Sequence, residues 1–377
     1  MKTLDSFNFK NKTTLLRADL NSDFHKGKVL MSERIKQSAI TIKELKKKKA
    51  KIIIIAHQSR PGKPDFVNLK QHAKLLNKLT KVKYVPDILG EKATKAIQKL
   101  KPGQAILLEN IRFEKDEFKP EKGKKNKLFK LTNLADIYVN DSFSVCHRKQ
   151  TSITLLPKHM KHCAGRLLEK EVKSLKKINT KNCMYILGGA KPEENIRLLK
   201  GKKVIACGLF GQLCLISRGK NLGEQNKYLK KTIKNYSQVI KQLKKKQKNV
   251  ITPVDFAVKK NNKRVEISVE EFPSKYEIFD IGTKTQKLFV KEIKKANAVY
   301  MKGPAGYCAD RKFAKGTTEI LKAVSKTKFS LIGGGHLSDA IKYSKIPEKK
   351  FNHISLSGGA LLRVVAGEKL PGLQALR

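Results

Sequence analysis

The sequence predicts an α/β protein with parallel sheets divided between two domains. Three observations carry that expectation. Short, wholly apolar runs ending in polar or glycine-rich stretches recur along the chain, helical periodicity separates them, and 377 residues exceed one ordinary core. A strand with one wet face alternates apolar and polar residues, whereas a strand buried on both faces does not. Strands of the second kind, alternating with amphipathic helices, imply a parallel sheet covered on both sides. Such sheets bind ligands outside the carboxyl ends of their strands.

The first half supplies four such strand ends. TTLLRADLNSDF (13 to 24) releases Arg17, Asp19 and Asn21, and IIIIAHQSRPG (52 to 62) releases His57 and Arg60. AILLENIRFEKDE (105 to 117) ends in Glu109, Asn110 and Arg112, and ADIYVNDSFSVCHRKQ (135 to 150) in Asn140, Asp141, His147 and Arg148. Between the first two, Ile35, Ala39, Ile42 and Leu45 share one face of a helix that Ser32 is placed to cap. Any one polar strand end could be an ordinary turn. Their repetition, with arginine and its rigid fork of donors prominent, suggests an anionic ligand.

The second half repeats the architecture with different loops. CMYILGGAKPEEN (183 to 195), KVIACGLFGQ (203 to 212), NVITPVDFAV (249 to 258), NAVYMKGPAGY (297 to 307), FSLIGGGHLSDA (329 to 340) and HISLSGGALL (353 to 362) read as strands, most of them ending in glycine. Glycine turns before helices let backbone amides reach phosphates. None is a Walker loop or a complete GxGxxG, so a nucleotide site rests on the repetition.

Between the halves, GRLLEKEVKSLKK (165 to 177) carries Leu167, Leu168, Val172 and Leu175 at helical spacing. The expected domains are 1–164 and 179–362, joined by a helix over 165–178. The tail 363–377, which includes GEKLPGLQALR, packs back toward the first domain. No apolar segment resembles a signal peptide or a membrane span, and the expected location is the cytoplasm. Six cysteines at 146, 163, 183, 207, 214 and 308 form no CxxC pair and read as buried small hydrophobes in a reducing compartment.

The charge is lopsided, with 83 Lys and Arg against 32 Asp and Glu and a net +51. It gathers in runs such as 43–51, 119–127 and 230–248. In the last run Ile233, Tyr236, Ile240 and Leu243 fall on one helical face, leaving the lysines as a solvated outer surface. The other reading is attraction for nucleic acid or another polyanion. With 7% aromatic residues and no tryptophan there is little material for base stacking.

The ordered loops resemble those of the phosphoglycerate kinases from about residue 13 to residue 375. The carrying stretches are RADLN, SERI, AHQSRP, LLENIRF, YVNDSFSVCHR, ILGGAK, PVDFAV, DIGTKT, KGPAG with FAKGT, LIGGGH, and HISLSGGA with GEKLPGLQAL. The short loops and the ending look most like the archaeal branch. The resemblance implies two Rossmann-like domains joined by a helical hinge. The first would bind 3-phosphoglycerate or 1,3-bisphosphoglycerate, and the second ATP or ADP with Mg2+. It implies that Asp19, Asn21, Arg34, His57, Arg60, Arg112 and Arg148 bind phosphoglycerate. Lys191, Gly208, Gly306, Gly333, Gly334, Gly335 and His336 would bind nucleotide. Arg34 and Lys191 would be catalytic, stabilising a phosphoryl group in direct transfer. A catalytically weakened, polyanion-binding member of the family is the alternative.

On the nucleotide side the sequence departs from the family pattern. Asn195 stands where a second lysine is usual, Lys302 for an asparagine, Ala309 for a glutamate, and Ser357 for a glycine. His336 replaces an aspartate associated with magnesium. An imidazole is a poor magnesium ligand, since that ion prefers oxygen donors and keeps several waters. His336 therefore either donates to a phosphate oxygen or caps a helix, and the metal ligands are left open.

Overall fold

The computed structural model describes residues 1–178, 183–199 and 202–377, without the side chains of 335, 336, 338 and 339. The chain divides into two compact units. One comprises Met1–Lys173 with Gly367–Arg377, and the other Ser174–Ala366, so the chain passes between them inside the helix Arg166–Ile178.

The first unit contains strands β1 (Thr13–Ala18), β2 (Phe24–His25), β3 (Lys28–Val29), β4 (Lys51–Ile55), β5 (Lys83–Tyr84), β6 (Ala105–Leu107), β7 (Ile137–Asp141) and β8 (Lys161–Ala164). Six of them form one sheet in the order β5-β6-β4-β1-β7-β8, and every pairing is parallel. The isoleucine run is the reason β4 sits inside it: Ile52 to Ile55 are all fully buried. Each such side chain contributes about 1.5–3 kcal/mol of transfer free energy. The helix Glu33–Lys47 follows as expected, with Ser32 Oγ accepting from the Ile35 amide at 3.4 Å and Ile35, Ala39, Ile42 and Leu45 turned into the core. After β1 the chain builds toward β4 and β5, then returns to the other side through β7. The sheet's direction of construction therefore reverses between β1 and β7. Near the chain end, the Gly372 amide donates to the Cys146 carbonyl at 2.9 Å.

The second unit contains β9 (Cys183–Leu187), β10 (Val204–Ala206), β11 (Val250–Ile251), β12 (Asp255–Lys260), β13 (Lys263–Ser268), β14 (Ile278–Ile281), β15 (Ala298–Lys302), β16 (Phe329–Gly333) and β17 (His353–Ser355). Its parallel sheet runs β11-β10-β9-β15-β16-β17, with its reversal between β9 and β15. Two units of this kind, each a parallel sheet with helical crossovers and joined through a helix, make the fold class read from the sequence.

Two local readings are corrected. The run 249–258 is not one strand: it divides into β11 and β12, and β12 joins a separate antiparallel sheet β13-β12-β14. Pro253, lacking an amide hydrogen, breaks the run, and Asn261 and Asn262, both with positive φ, turn β12 into β13. The basic run 230–248 is not one helix either. Asn235 adopts the left-handed conformation and separates Glu224–Thr232 from Tyr236–Lys246, so Val239 and Leu243 carry the buried face. Of the six cysteines, all free, five are buried and Cys308 is half-buried.

Candidate functional site

In the first unit the carboxyl ends of β1, β4 and β7 gather cations around a polar lattice. Arg34 sits in the first turn of the helix Glu33–Lys47, where Nη1 donates to the Asn21 carbonyl at 3.1 Å and Nε lies 3.8 Å from Asp19 Oδ2. Asp19 is buried, and its Oδ1 has no hydrogen-bond partner among the described residues. Asn21 accepts the Ser59 amide at 2.7 Å. Ser59 holds a positive φ of 56°, unusual for serine. It is locked there by that bond, by its hydroxyl donating to Asp65 at 2.6 Å, and by its carbonyl accepting from Arg112. Arg112 also donates to Gln150 Oε1 at 3.2 Å, while its buried Nε has no partner among the described residues.

His57 is buried against Arg17, whose Nη2 lies 3.1 Å from Nδ1. A guanidinium only donates, so Nδ1 accepts and the ring hydrogen belongs on Nε2. Burial, followed by the charges of Arg112, Arg17, Arg34 and Arg148, holds the imidazole pKa well below its ordinary 6.5. Burial and the Arg17 and Arg148 charges push Arg112 down to about 9, which leaves it cationic at neutral pH. Like charges brought this close are costly unless an anion joins them. The structure thus brings together Asp19, Asn21, Arg34, His57, Arg112 and Arg148. Arg60 is exposed on the next turn and has no side-chain partner among the described residues.

The supporting groups were less visible in the sequence. Gln58 accepts the Ser22 amide at 3.0 Å and donates to the Ser22 carbonyl at 2.9 Å, tying the β1 loop to the β4 loop. His72 Nε2 meets Gln58 Oε1 at 3.0 Å. Behind His57, Arg17 Nε donates to Ser152 Oγ at 2.9 Å, and Ser152 donates to the buried Glu117 at 2.6 Å. Glu117 and Ser152 lie in segments without periodicity, and only the fold places them under the strand ends.

The buried histidines give a testable pH dependence. Burial lowers the His72 pKa from 6.5 to about 4. Between those values the unfolded chain takes up a proton that the folded chain refuses, so stability falls as pH drops through that window. At pH 5 the loss from His72 alone is about 2 kcal/mol. The raised carboxyls of Asp141, at about 7, and Asp280, at about 6, act in the opposite sense. Urea melts of the parent and of His72→Gln at pH 7.5 and 5 isolate the term: the variant should lose less stability on acidification. Equal losses would contradict it.

In the second unit, the reversal between β9 and β15 is built from touching backbones. The Gly188 amide donates to the Lys302 carbonyl at 2.7 Å, the Gly189 amide to Pro304 at 2.9 Å, and the Gly208 amide to Ala305 at 3.1 Å. A Cβ on Gly188 would lie 2.3 Å from the Pro304 carbonyl, and Gly208, with a φ of +53°, would meet the Gly189 nitrogen at 2.8 Å. Gly306 is equally confined, by Asp280 at 2.3 Å and the Phe313 carbonyl at 2.4 Å. Lys191 is exposed just before the short helix Pro192–Asn195. Gly333 closes β16, Gly334 has a φ of +108°, and the helix Gly335–Ser344 begins there. The side chain of His336 lies outside the described residues.

Two departures from the family pattern meet in space. Lys302 Nζ lies 2.9 Å from Asn195 Oδ1 and 3.0 Å from Glu194 Oε2. Ser357 is a buried residue preceding the helix Gly358–Val365, and the Asp310 carboxylate accepts the Lys312 amide at 3.0 Å. No group of three His, Cys, Asp or Glu among the described residues is arranged to hold a metal ion.

A family model described as phosphoglycerate kinase matches residues 4–368. The chain is 37% identical over 396 residues to the phosphoglycerate kinase of Methanothermus fervidus, covering 99% of this chain and 96% of that protein. It is 37% identical over 395 residues to that of Methanopyrus kandleri, covering 100% and 97%. The crystal structure of phosphoglycerate kinase from Pyrococcus horikoshii OT3 superposes with a TM-score of 0.90 at 34% identity, covering 100% of this chain and 98% of that one. The phosphoglycerate kinase structure from Coxiella burnetii gives 0.83 at 28% identity, covering 99% and 98%.

Proposed function

The chain belongs to the phosphoglycerate kinase family, and from that premise we infer how its residues divide the reaction. The protein is a kinase with a carboxylate acceptor: a phosphoryl group passes reversibly between 1,3-bisphosphoglycerate and ADP, giving 3-phosphoglycerate and ATP. In the first unit, Asp19, Asn21, Arg34, His57, Arg60, Arg112 and Arg148 bind the phosphoglycerate. The observation that carries this is the crowding of His57, Arg112, Arg17, Arg34 and Arg148, which gathers several cationic groups at the strand ends. Neutral His57 donates from Nε2 at neutral pH, and the guanidiniums offer paired donors to phosphate or carboxylate.

In the second unit, Lys191, Gly208, Gly306, Gly333, Gly334, Gly335 and His336 hold the nucleotide. Glycines at positive φ and close backbone approach favour amide contact with phosphates, and the helix Gly335–Ser344 adds its positive end. Magnesium enters as part of the nucleotide substrate, a reading suited to an ion that binds through phosphates and keeps several waters. Transfer of this kind needs alignment and charge neutralisation more than a protein nucleophile. Arg34 and Lys191 are the cations we assign to the moving phosphoryl group.

The proposed location is the cytoplasm. In support, no helix among the described residues is long and apolar enough to cross a membrane. Among the readings from sequence, the polyanion-binding alternative is not favoured, since the match to the kinase family spans the chain. A coupled assay supplying 3-phosphoglycerate and magnesium ATP tests the whole. Turnover that saturates in both substrates is expected, and folded protein inactive with ATP, GTP and other nucleoside triphosphates would refute it.

A further inference from the structure

Lys302 ends β15 at the point where the second sheet reverses direction, and its side chain is only 15% exposed. Its ammonium is held on two sides, by Asn195 Oδ1 at 2.9 Å and Glu194 Oε2 at 3.0 Å. Asn195 is fully buried and cannot turn freely, because its Nδ2 donates to the Gly188 carbonyl at 3.2 Å. The amide thus fastens Lys302 to the glycine turn after β9. An ammonium has three donors. Two are committed, and the third meets no acceptor among the described residues. Glu194 is 40% exposed, so this ion pair is partly open to water and screened. A carboxylate so placed can leave for solvent when a stronger anion arrives.

The surroundings say which anion. Gly303 has a φ of +76°, and a Cβ there would lie 2.6 Å from the Gly188 carbonyl carbon, so backbone fills the space that side chains would otherwise take. Closely approaching glycine turns at the reversal of a parallel sheet are where phosphate groups approach backbone amides. A cation anchored there serves a polyphosphate.

We propose that Lys302 is a second phosphate-binding cation of the nucleotide site, positioned by Asn195 and neutralised at rest by Glu194. This rests on the assignment of the second unit to the nucleotide. Lys302 contributes to the binding of ADP and ATP and makes no contact with phosphoglycerate. Glu194 is the counter-ion that the nucleotide phosphates displace.

The test uses the full chain. Lys302→Met should raise the KM for magnesium ADP about tenfold, the order of one lost charge-assisted contact. It should leave the KM for phosphoglycerate within about twofold, because that ligand is bound elsewhere. Glu194→Gln separates binding from structure. It should lower the nucleotide KM about two- to threefold if Glu194 is a displaceable counter-ion. If the pair is merely structural, it should weaken binding as Lys302→Met does, and the proposal fails. The exchange Asn195→Lys with Lys302→Asn moves the ammonium to the opposite backbone across a 2.9 Å contact, and should recover most of the affinity lost in Lys302→Asn alone. An exchange no better than the single variant, or an unchanged nucleotide KM in Lys302→Met, overturns the proposal. Calorimetric titration of the parent with magnesium ADP is the control: absent binding there would refute the nucleotide assignment itself.

Discussion

Arg34→Ala is expected to lower kcat about a hundredfold or more while leaving the fold intact, the usual order for losing one preorganised charge donor. The residue stands in the first turn of the helix Glu33–Lys47, where the helix dipole already presents positive charge. A cation is therefore misplaced there for stability. It is tolerated because the Asn21 carbonyl, at 3.1 Å, and Asp19, at 3.8 Å, hold it toward the strand ends. Its side chain is 24% exposed, so truncation opens no sealed cavity, and melting should shift by no more than a few degrees. Arg34→Lys should fall between parent and alanine, since it restores charge without the planar fork. Steady-state kinetics beside a thermal melt decide the matter. A variant that melts normally and turns over near the parental rate would remove Arg34 from the chemistry.

How much of this was readable beforehand depended on range. The run Ile52–Ile55 declared a strand buried on both faces because no polar residue interrupts it, and the polar stretch after it marked the ligand end of the sheet. His57, Arg112 and Arg148 could be named because each follows such a signal closely, whereas Arg34 was reached only through the resemblance of SERI. The run 249–258 was misread because its apolar content hid the consequence of Pro253. The basic run 230–248 was misread because its periodicity survives a break at Asn235. What stayed hidden was pairing at a distance. Asn195 and Lys302 are 107 positions apart, and Glu117 and Ser152 are 35 apart in segments of irregular turns. Neither pair leaves a periodic trace, so only the folded chain shows that one lysine and one amide share a corner, or that a carboxylate lies beneath Arg17.

Arg17→Met should destabilise the first unit by about 3–5 kcal/mol, the order seen when one member of a buried charged network is removed. Arg17 lies in β1 between β4 and β7 and is wholly buried. Each of its three guanidinium nitrogens donates, to Ser152 Oγ at 2.9 Å, to the Ala18 carbonyl at 2.9 Å and to His57 Nδ1 at 3.1 Å. Methionine fills similar space but leaves those acceptors unpaired. It also removes the charge that opposes the effect of burial on Glu117. Burial raises the Glu117 pKa above its ordinary 4.5, and Arg17 pulls it back down. Without Arg17 the folded-state value rises further. A carboxyl raised in the folded state costs nothing below the unfolded value and progressively more as pH climbs toward the folded one. The loss on replacing Arg17 should therefore be larger at pH 8 than at pH 5, as urea melts at the two values would reveal. Adding Glu117→Gln should recover part of it at pH 8, because the neutral amide removes the buried charge. The single variant should also bind 3-phosphoglycerate more weakly, since His57 loses the donor that fixes its ring hydrogen on Nε2. A loss independent of pH, with no recovery in the double variant, would mean that Arg17 acts by filling space alone and that its coupling to Glu117 contributes nothing.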